Sequence, residues 1–167
     1  MDTLTAIKTR RSIRNYKNEI LDTNLISEII EYGLYAPSAH NQQARKYYII
    51  SKKEDREFLA ETMEYWKMLP NAWWCILACF NNDNVRSSEF IQQDMWASIQ
   101  NILLAAHEKW IWTVRLWLYP HEEPMNKISE HFNLPENIIP FAIISMWIKL
   151  WEIPEKILKS EWKIEIV

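Results

Sequence analysis

The sequence predicts an α+β domain of three layers, with helices on both faces of a central sheet. Three observations predict it. Two continuous apolar runs of strand length, 75–80 and 141–148, read as strands buried on both faces. A stripe of Ile91, Met95, Ile99, Ile102, Leu103 and Ala106 reads as one long amphipathic helix. Helical and strand-like segments interleave with no repeat, low-complexity stretch or linker, so residues 1–167 are expected to form a single domain.

The elements follow in order. Residues 3–8 read as a short helix, with Leu4 and Ile7 apolar and Thr3 available as a cap. A basic stretch follows, Arg10-Arg11-Ser12-Ile13-Arg14-Asn15-Tyr16. Asp22-Thr23-Asn24 offers caps for a second helix, whose Leu25, Ile26, Ile29, Ile30 and Leu34 recur at helical spacing. Gly33 lies close to its end, and Pro37 stops it. Ala36 to Gln43 is a polar loop, 47–51 a short β-prone run, and 53–63 an exposed helix. The apolar run 75–80 ends in an Asn-rich turn, after which Ser87 or Ser88 is placed to cap the long helix as far as about Lys109. Residues 111–118 are strand-like, and Pro124 suits the first turn of a helix running to Phe132. The last residues, 162–167, alternate like an edge strand.

Composition excludes several classes. Apolar residues make up 49% and charged residues 25%, and the net charge is −3, which gives no general attraction to nucleic acid or an anionic membrane. No apolar run approaches the roughly 18 residues of a membrane helix. The first residues lack the basic-then-apolar layout of a signal peptide, so the cytoplasm is the expected compartment. Cys75 and Cys79 fall in one apolar run, well separated along one strand face, and read as buried inert thiols. Of the histidines, His121 beside Glu122 and Glu123 reads as a solvated helix start, and His107 as structural. No metal ligand set is assigned.

Two stretches carry chemistry. Three guanidiniums and a hydroxyl within five residues, Arg10, Arg11, Ser12 and Arg14, suit an anionic group, because guanidinium forks onto phosphate oxygens. A solvated basic turn is the bland alternative. In the polar loop, Ser38, Asn41 and Gln43 present hydroxyl and amide groups from a Pro-braced turn, suited to the hydrogen-bonding edge of a flat heterocycle. Together they form the pattern of a phosphorylated aromatic cofactor site.

In register, four segments resemble the FMN-dependent nitroreductase family over nearly the whole chain. They are the basic stretch 10–16, the loop Ala36-Pro37-Ser38-Ala39-His40-Asn41-Gln42-Gln43, the helix containing Gln93-Asp94-Met95 and 97–107, and the strand 139–146. The resemblance implies a three-layer α/β/α sandwich with a mostly antiparallel sheet, and a C-terminal tail reaching the partner of an obligate homodimer. It implies FMN at the subunit interface, with NADH or NADPH as donor. A nitroaromatic or quinone-type small molecule would accept the electrons in a ping-pong cycle. Arg10, Arg11, Ser12 and Arg14 would hold the phosphate and ribityl chain, Arg14 also facing the charge of reduced flavin. Pro37, Ser38, Asn41 and Gln43 would come from the other subunit. The turn after the strand at Thr113 to Leu116 would bring backbone N–H groups to the ring, at Arg115, Leu116 and Trp117. Lys159 would complete the phosphate site, with Lys156 and Lys163 as rivals. Dehalogenating or dehydrogenating chemistry, or a non-catalytic flavin-binding or inactive homologue, are the alternatives.

The chain departs from that pattern. Ala44 and Arg45 replace the usual Pro and aromatic, and Arg115 replaces a frequent Trp or Pro. The largest departure is one glycine against ten tryptophans. Trp96, Trp110, Trp112, Trp117 and Trp147 stand where such proteins have glycine, and Trp66, Trp73 and Trp151 where a turn glycine reads naturally. The expectation is that these codons are UGA, read as glycine in the source organism; a genuine Trp-rich or engineered chain is the alternative.

Overall fold

The computed structural model describes residues 1–14 and 22–148. Four strands form its centre: β1 (Arg45–Ile50), β2 (Trp74–Asn81), β3 (Ile111–Trp117) and β4 (Ile138–Ile148). They lie in the order β1-β2-β4-β3, and each neighbouring pair is antiparallel. The helices are α1 (Thr3–Thr9), α2 (Thr23–Leu34), α3 (Lys53–Thr62), α4 (Ile91–Glu108) and α5 (Glu122–His131).

Strand alternation explains the apolar runs. In β2, Ile76, Ala78 and Phe80 face Ile26 and Ile29 of α2 and Met95, Ile99 and Ile102 of α4. Cys75, Leu77 and Cys79 face the other way, toward Leu59 of α3 and Ile128 of α5. Both faces are covered, so neither set can be polar. The result is the three-layer α+β sandwich that the sequence predicts. Cys75 and Cys79 are buried and unbridged.

Several boundaries differ from expectation for physical reasons. β4 begins three residues early and runs through Pro140, because Pro140 sits opposite Cys79, where the β2–β4 register shifts and no ladder N–H is needed. Asp2, not Thr3, caps α1, accepting the Thr5 N–H at 3.1 Å. Neither Ser87 nor Ser88 caps α4 through its side chain; Ser88–Phe90 forms a single tight turn ahead of it. The helix expected to be exposed at 53–63 buries Arg56 and Leu59.

Gly33 is used for close approach rather than for a turn. A Cβ there would meet Ile102 Cγ1 at 2.6 Å. The Ser98 hydroxyl donates to the Gly33 carbonyl at 2.5 Å, fixing α2 on α4. At the other end of α4, buried His107 places Nε2 2.8 Å from the Thr9 hydroxyl of α1.

Candidate functional site

The site is built along the outer edge of β3. The chain leaves α1 and runs beside this edge, where Ser12 forms a parallel bridge with Thr113 and the Ile13 N–H donates to the Thr113 carbonyl at 3.4 Å. Successive strand residues point their backbone groups to opposite sides. The Thr113 carbonyl faces outward, so the amides of Arg115 and Trp117 share that outer edge, while Val114 and Leu116 bond to β4. Among the described residues, only Ser12 and Ile13 pair with this edge.

One end is cationic. Arg10 is half-buried, and its pKa is held below the ordinary value first by burial, then by Arg115 and Arg11. No carboxylate pairs with Arg10 among the described residues. Arg11 turns back, its Nη1 donating to the Lys8 carbonyl at 2.8 Å and the Arg10 carbonyl at 2.9 Å. Ser12 and Arg14 are exposed. The buried Thr113 hydroxyl has no hydrogen-bond partner among the described residues. A half-buried guanidinium crowded by a second cation is costly unless an anion joins it.

The other end is aromatic. The Arg115 guanidinium lies over the Trp96 ring, 4.7 Å from its centroid. Trp96 in turn meets Trp117 at 5.4 Å and Phe141 at 4.9 Å between ring centroids. Trp117 is 58% exposed. Cations and aromatics thus follow one another beside β3, in the order Arg10 from the end of α1, Arg115 from β3, Trp96 from α4 and Trp117 from β3. This arrangement can take a molecule that is anionic at one end and flat at the other.

The polar loop lies at the start of α4. Its backbone is left-handed at His40 (φ 50°), Asn41 (φ 50°) and Gln43 (φ 44°), a conformation that Asn and His adopt more readily than Gln. Buried Gln42 holds the loop in this shape. Its Nε2 donates to Asp94 Oδ2 at 2.5 Å, and its Oε1 accepts the Arg86 and Ser87 N–H groups at 3.0 and 3.1 Å. Asp94 Oδ1 also accepts the Ala39 N–H at 2.9 Å. Arg45 braces the loop from below, its Nη2 donating to the Pro37 carbonyl at 2.6 Å. Pro37, Asn41 and Gln43 are exposed. Ser38 accepts the Gln43 N–H at 3.1 Å, and Asn41 accepts Gln43 Nε2 at 2.7 Å.

The structure brings Arg10, Arg11, Ser12 and Arg115 together and keeps Pro37, Ser38, Asn41 and Gln43 as one exposed turn. Thr113 to Leu116 lies inside β3, where β4 pairs with all of it. The Leu116 side chain points into the core shared with α5. Lys159, Lys156, Lys163, Trp151 and the expected edge strand at 162–167 lie outside the described residues.

Sequence reasoning passed over Gln42, Asp94 and Trp96 as site-builders. Only Asp94 carried a signal, as an acid on the apolar side of a helix.

The tryptophans divide. Trp112 and Trp147 are cross-strand partners buried in the core, and Trp66 is buried at the end of a short turn. Trp66 and Trp73, expected where a turn glycine reads naturally, do not have positive φ. Among the described tryptophans only Trp110 does, at 61°.

Known proteins share this architecture. The model of the nitroreductase family matches residues 7–72. The chain is 34% identical over 146 residues to a protein of Methanothermobacter thermautotrophicus provisionally named NADH dehydrogenase/NAD(P)H nitroreductase, across 87% of this chain and 76% of that one. A crystal structure from Clostridium acetobutylicum, provisionally named an NADH oxidase, matches with a TM-score of 0.89 at 33% identity, over 96% of this chain and 98% of that one. Another, a provisionally named nitroreductase from Desulfovibrio desulfuricans in complex with FMN, matches with a TM-score of 0.83 at 26% identity, over 99% and 96%. With an identity of 34% sustained over three-quarters of a relative's length, this chain belongs to the nitroreductase family.

Proposed function

We propose that the protein is an FMN-dependent oxidoreductase that uses NADH or NADPH to reduce nitroaromatic or quinone-type acceptors. One observation carries the reading: the half-buried Arg10 guanidinium, crowded by Arg115 and paired with no carboxylate among the described residues, at the head of a strand edge that leads to an aromatic face. The phosphate end fits the group, since a phosphate supplies the missing negative charge. The ring end fits only in part, because the Trp117 indole stands on the edge where a flat ring would lie.

Bound FMN supplies two-electron chemistry between a reduced nicotinamide and the acceptor. The chain's own residues bind and orient. Arg10, Arg11, Ser12 and Arg14 hold the phosphate end, with a basic residue of the C-terminal segment, Lys159 first among three, completing it. The outward amides of Arg115 and Trp117 donate to the polar edge of the ring. Arg14 places positive charge where negative charge grows during reduction. Donor and acceptor use one opening in turn, which gives ping-pong kinetics.

The unit that works is a homodimer. Leu4 (69% exposed), Ile7 and Tyr35 stand open on α1 and at the end of α2. Beside them lies a groove of about 770 Å³ lined by Met1, Tyr32, Tyr35, Leu104 and Glu108. An apolar surface of this kind is suited to a second copy, whose Pro37–Gln43 turn would complete the flavin site.

The test is a titration of the purified protein with FMN and with riboflavin, followed by anaerobic NADH or NADPH. FMN bound much more tightly than riboflavin, then bleached by nucleotide, is the expected result. Equal affinity for the two would overturn the phosphate assignment; colour without bleaching would favour a non-catalytic flavin-binding homologue.

A further inference from the structure

Helices α4 and α5 end alike. In α5 the residue past the C-cap, Asn133, is left-handed at φ 48°, its N–H bonding to the Glu130 carbonyl. In α4 the same place is held by Trp110, left-handed at φ 61°, its N–H bonding to the His107 carbonyl. Helices commonly finish in this way, with glycine or asparagine at the left-handed residue. A bulky side chain there is an outlier. Nor does burial explain the choice, for Trp110 is 55% exposed. The composition points the same way. One glycine in 167 residues, beside ten tryptophans, is a deficit of one residue type matched by an excess of the other.

A codon read as glycine at 110 is read so at every position that shares it, and the expectation stated from the sequence extends it to 117 and to Trp96; of these, the exposed position 117 bears on function. Its indole, 58% exposed, leans on Trp96, whose ring carries the Arg115 guanidinium. Glycine at 117 removes the outermost member of that stack and uncovers the strand edge beside Arg115. We propose that position 110, and by the same decoding position 117, carry glycine in the protein as its source cell makes it, so that the ring end of the β3 edge is open. The part concerning position 117 rests on the flavin reading; the part concerning 110 rests on backbone conformation alone.

Mass-spectrometric sequencing of the protein from its source cell decides the decoding. Trypsin releases 110–115 and 116–127 as separate peptides. Glycine read at 110 and 117 is the expected result, and tryptophan at either overturns the proposal. On the chain as written, Trp110→Gly is expected to melt higher than both the parent and Trp110→Ala, because alanine keeps the Cβ that disfavours positive φ. Equal melting of the two variants would overturn the conformational argument. Titration with FMN, read by flavin fluorescence, is expected to show several-fold tighter binding by Trp117→Gly than by the parent; an unchanged affinity overturns the open ring end. Glycine at both positions in the source protein, with no FMN bound by any form, would sink the flavin reading and leave the decoding standing.

Discussion

The Arg115 guanidinium sits 4.7 Å from the centroid of the Trp96 ring, and this contact joins the cationic and aromatic halves of the site. Arg115 belongs to β3 and Trp96 to α4, so helix and edge strand meet at this pair. On its other side Arg115 crowds Arg10, which shares responsibility for that residue's lowered pKa. In the proposed flavin site, phosphate affinity and ring affinity are therefore expected to be separable by mutation, with Arg10 at one end and Trp117 at the other.

Arg10→Ala is expected to weaken FMN binding about ten- to a hundredfold, corresponding to charge-assisted hydrogen bonds of about 1.5–3 kcal/mol. Riboflavin affinity should stay the same, because the lost contact is to phosphate. Parallel fluorescence titrations of the variant with both ligands check this, and an equal loss for both would place Arg10 elsewhere.

Gly33→Ala is expected to destabilise the fold by about 1–3 kcal/mol, the range for overpacking a filled core. The new Cβ would stand 2.6 Å from Ile102 Cγ1 and 3.2 Å from the Ser98 hydroxyl. Urea denaturation measures it. Shortening Ile102 to valine in the same chain should recover part of the loss.

Gln42→Ala should cost about 1–3 kcal/mol, since it strips a partner from buried Asp94 and leaves two backbone N–H groups without their acceptor. The strained turn at 40–43 should then relax. Faster proteolysis within the loop, set against an unchanged rate elsewhere, is the measurement that distinguishes local from global loss.

Burial pushes the Cys75 thiol up to about 12 from its ordinary 9.0, with the nearby Arg56 charge opposing only in part. Burial raises Cys79 as well. A raised thiol pKa means that the fold favours the neutral form. The stability so contributed is complete below pH 9 and is lost as the pH climbs toward 12. At pH 8 an alkylating reagent should therefore label neither cysteine until urea unfolds the protein. Rapid labelling of the native form would show that the β2 core opens.

Leu4→Lys combined with Tyr35→Lys should convert a dimer into monomers, because two charges would enter the apolar surface of α1 and α2. Light scattering coupled to gel filtration reads the mass directly. A parent that is monomeric at every concentration would refute the dimer.

Much of this was legible in the chain. The apolar runs around Cys75–Phe80 and Phe141–Ile148 announced buried strands, because a strand covered on both faces has no polar side to show. The Ile91–Ala106 stripe announced α4 for the same reason at helical period. The basic stretch suited an anionic group, the use proposed for it above, with a solvated basic turn as its alternative. Tertiary structure alone decided the rest. Leu116 and Arg115 are neighbours in sequence, yet the pleat of β3 sends one into the core and the other to the site. Gln42 looks like any loop amide until the fold carries Asp94 and the 86–87 backbone to it. The left-handed turn at Trp110 exists only because α4 must stop there for β3 to begin. Local periodicity is written in single residues, whereas register, edge and backbone handedness arise from where distant segments meet.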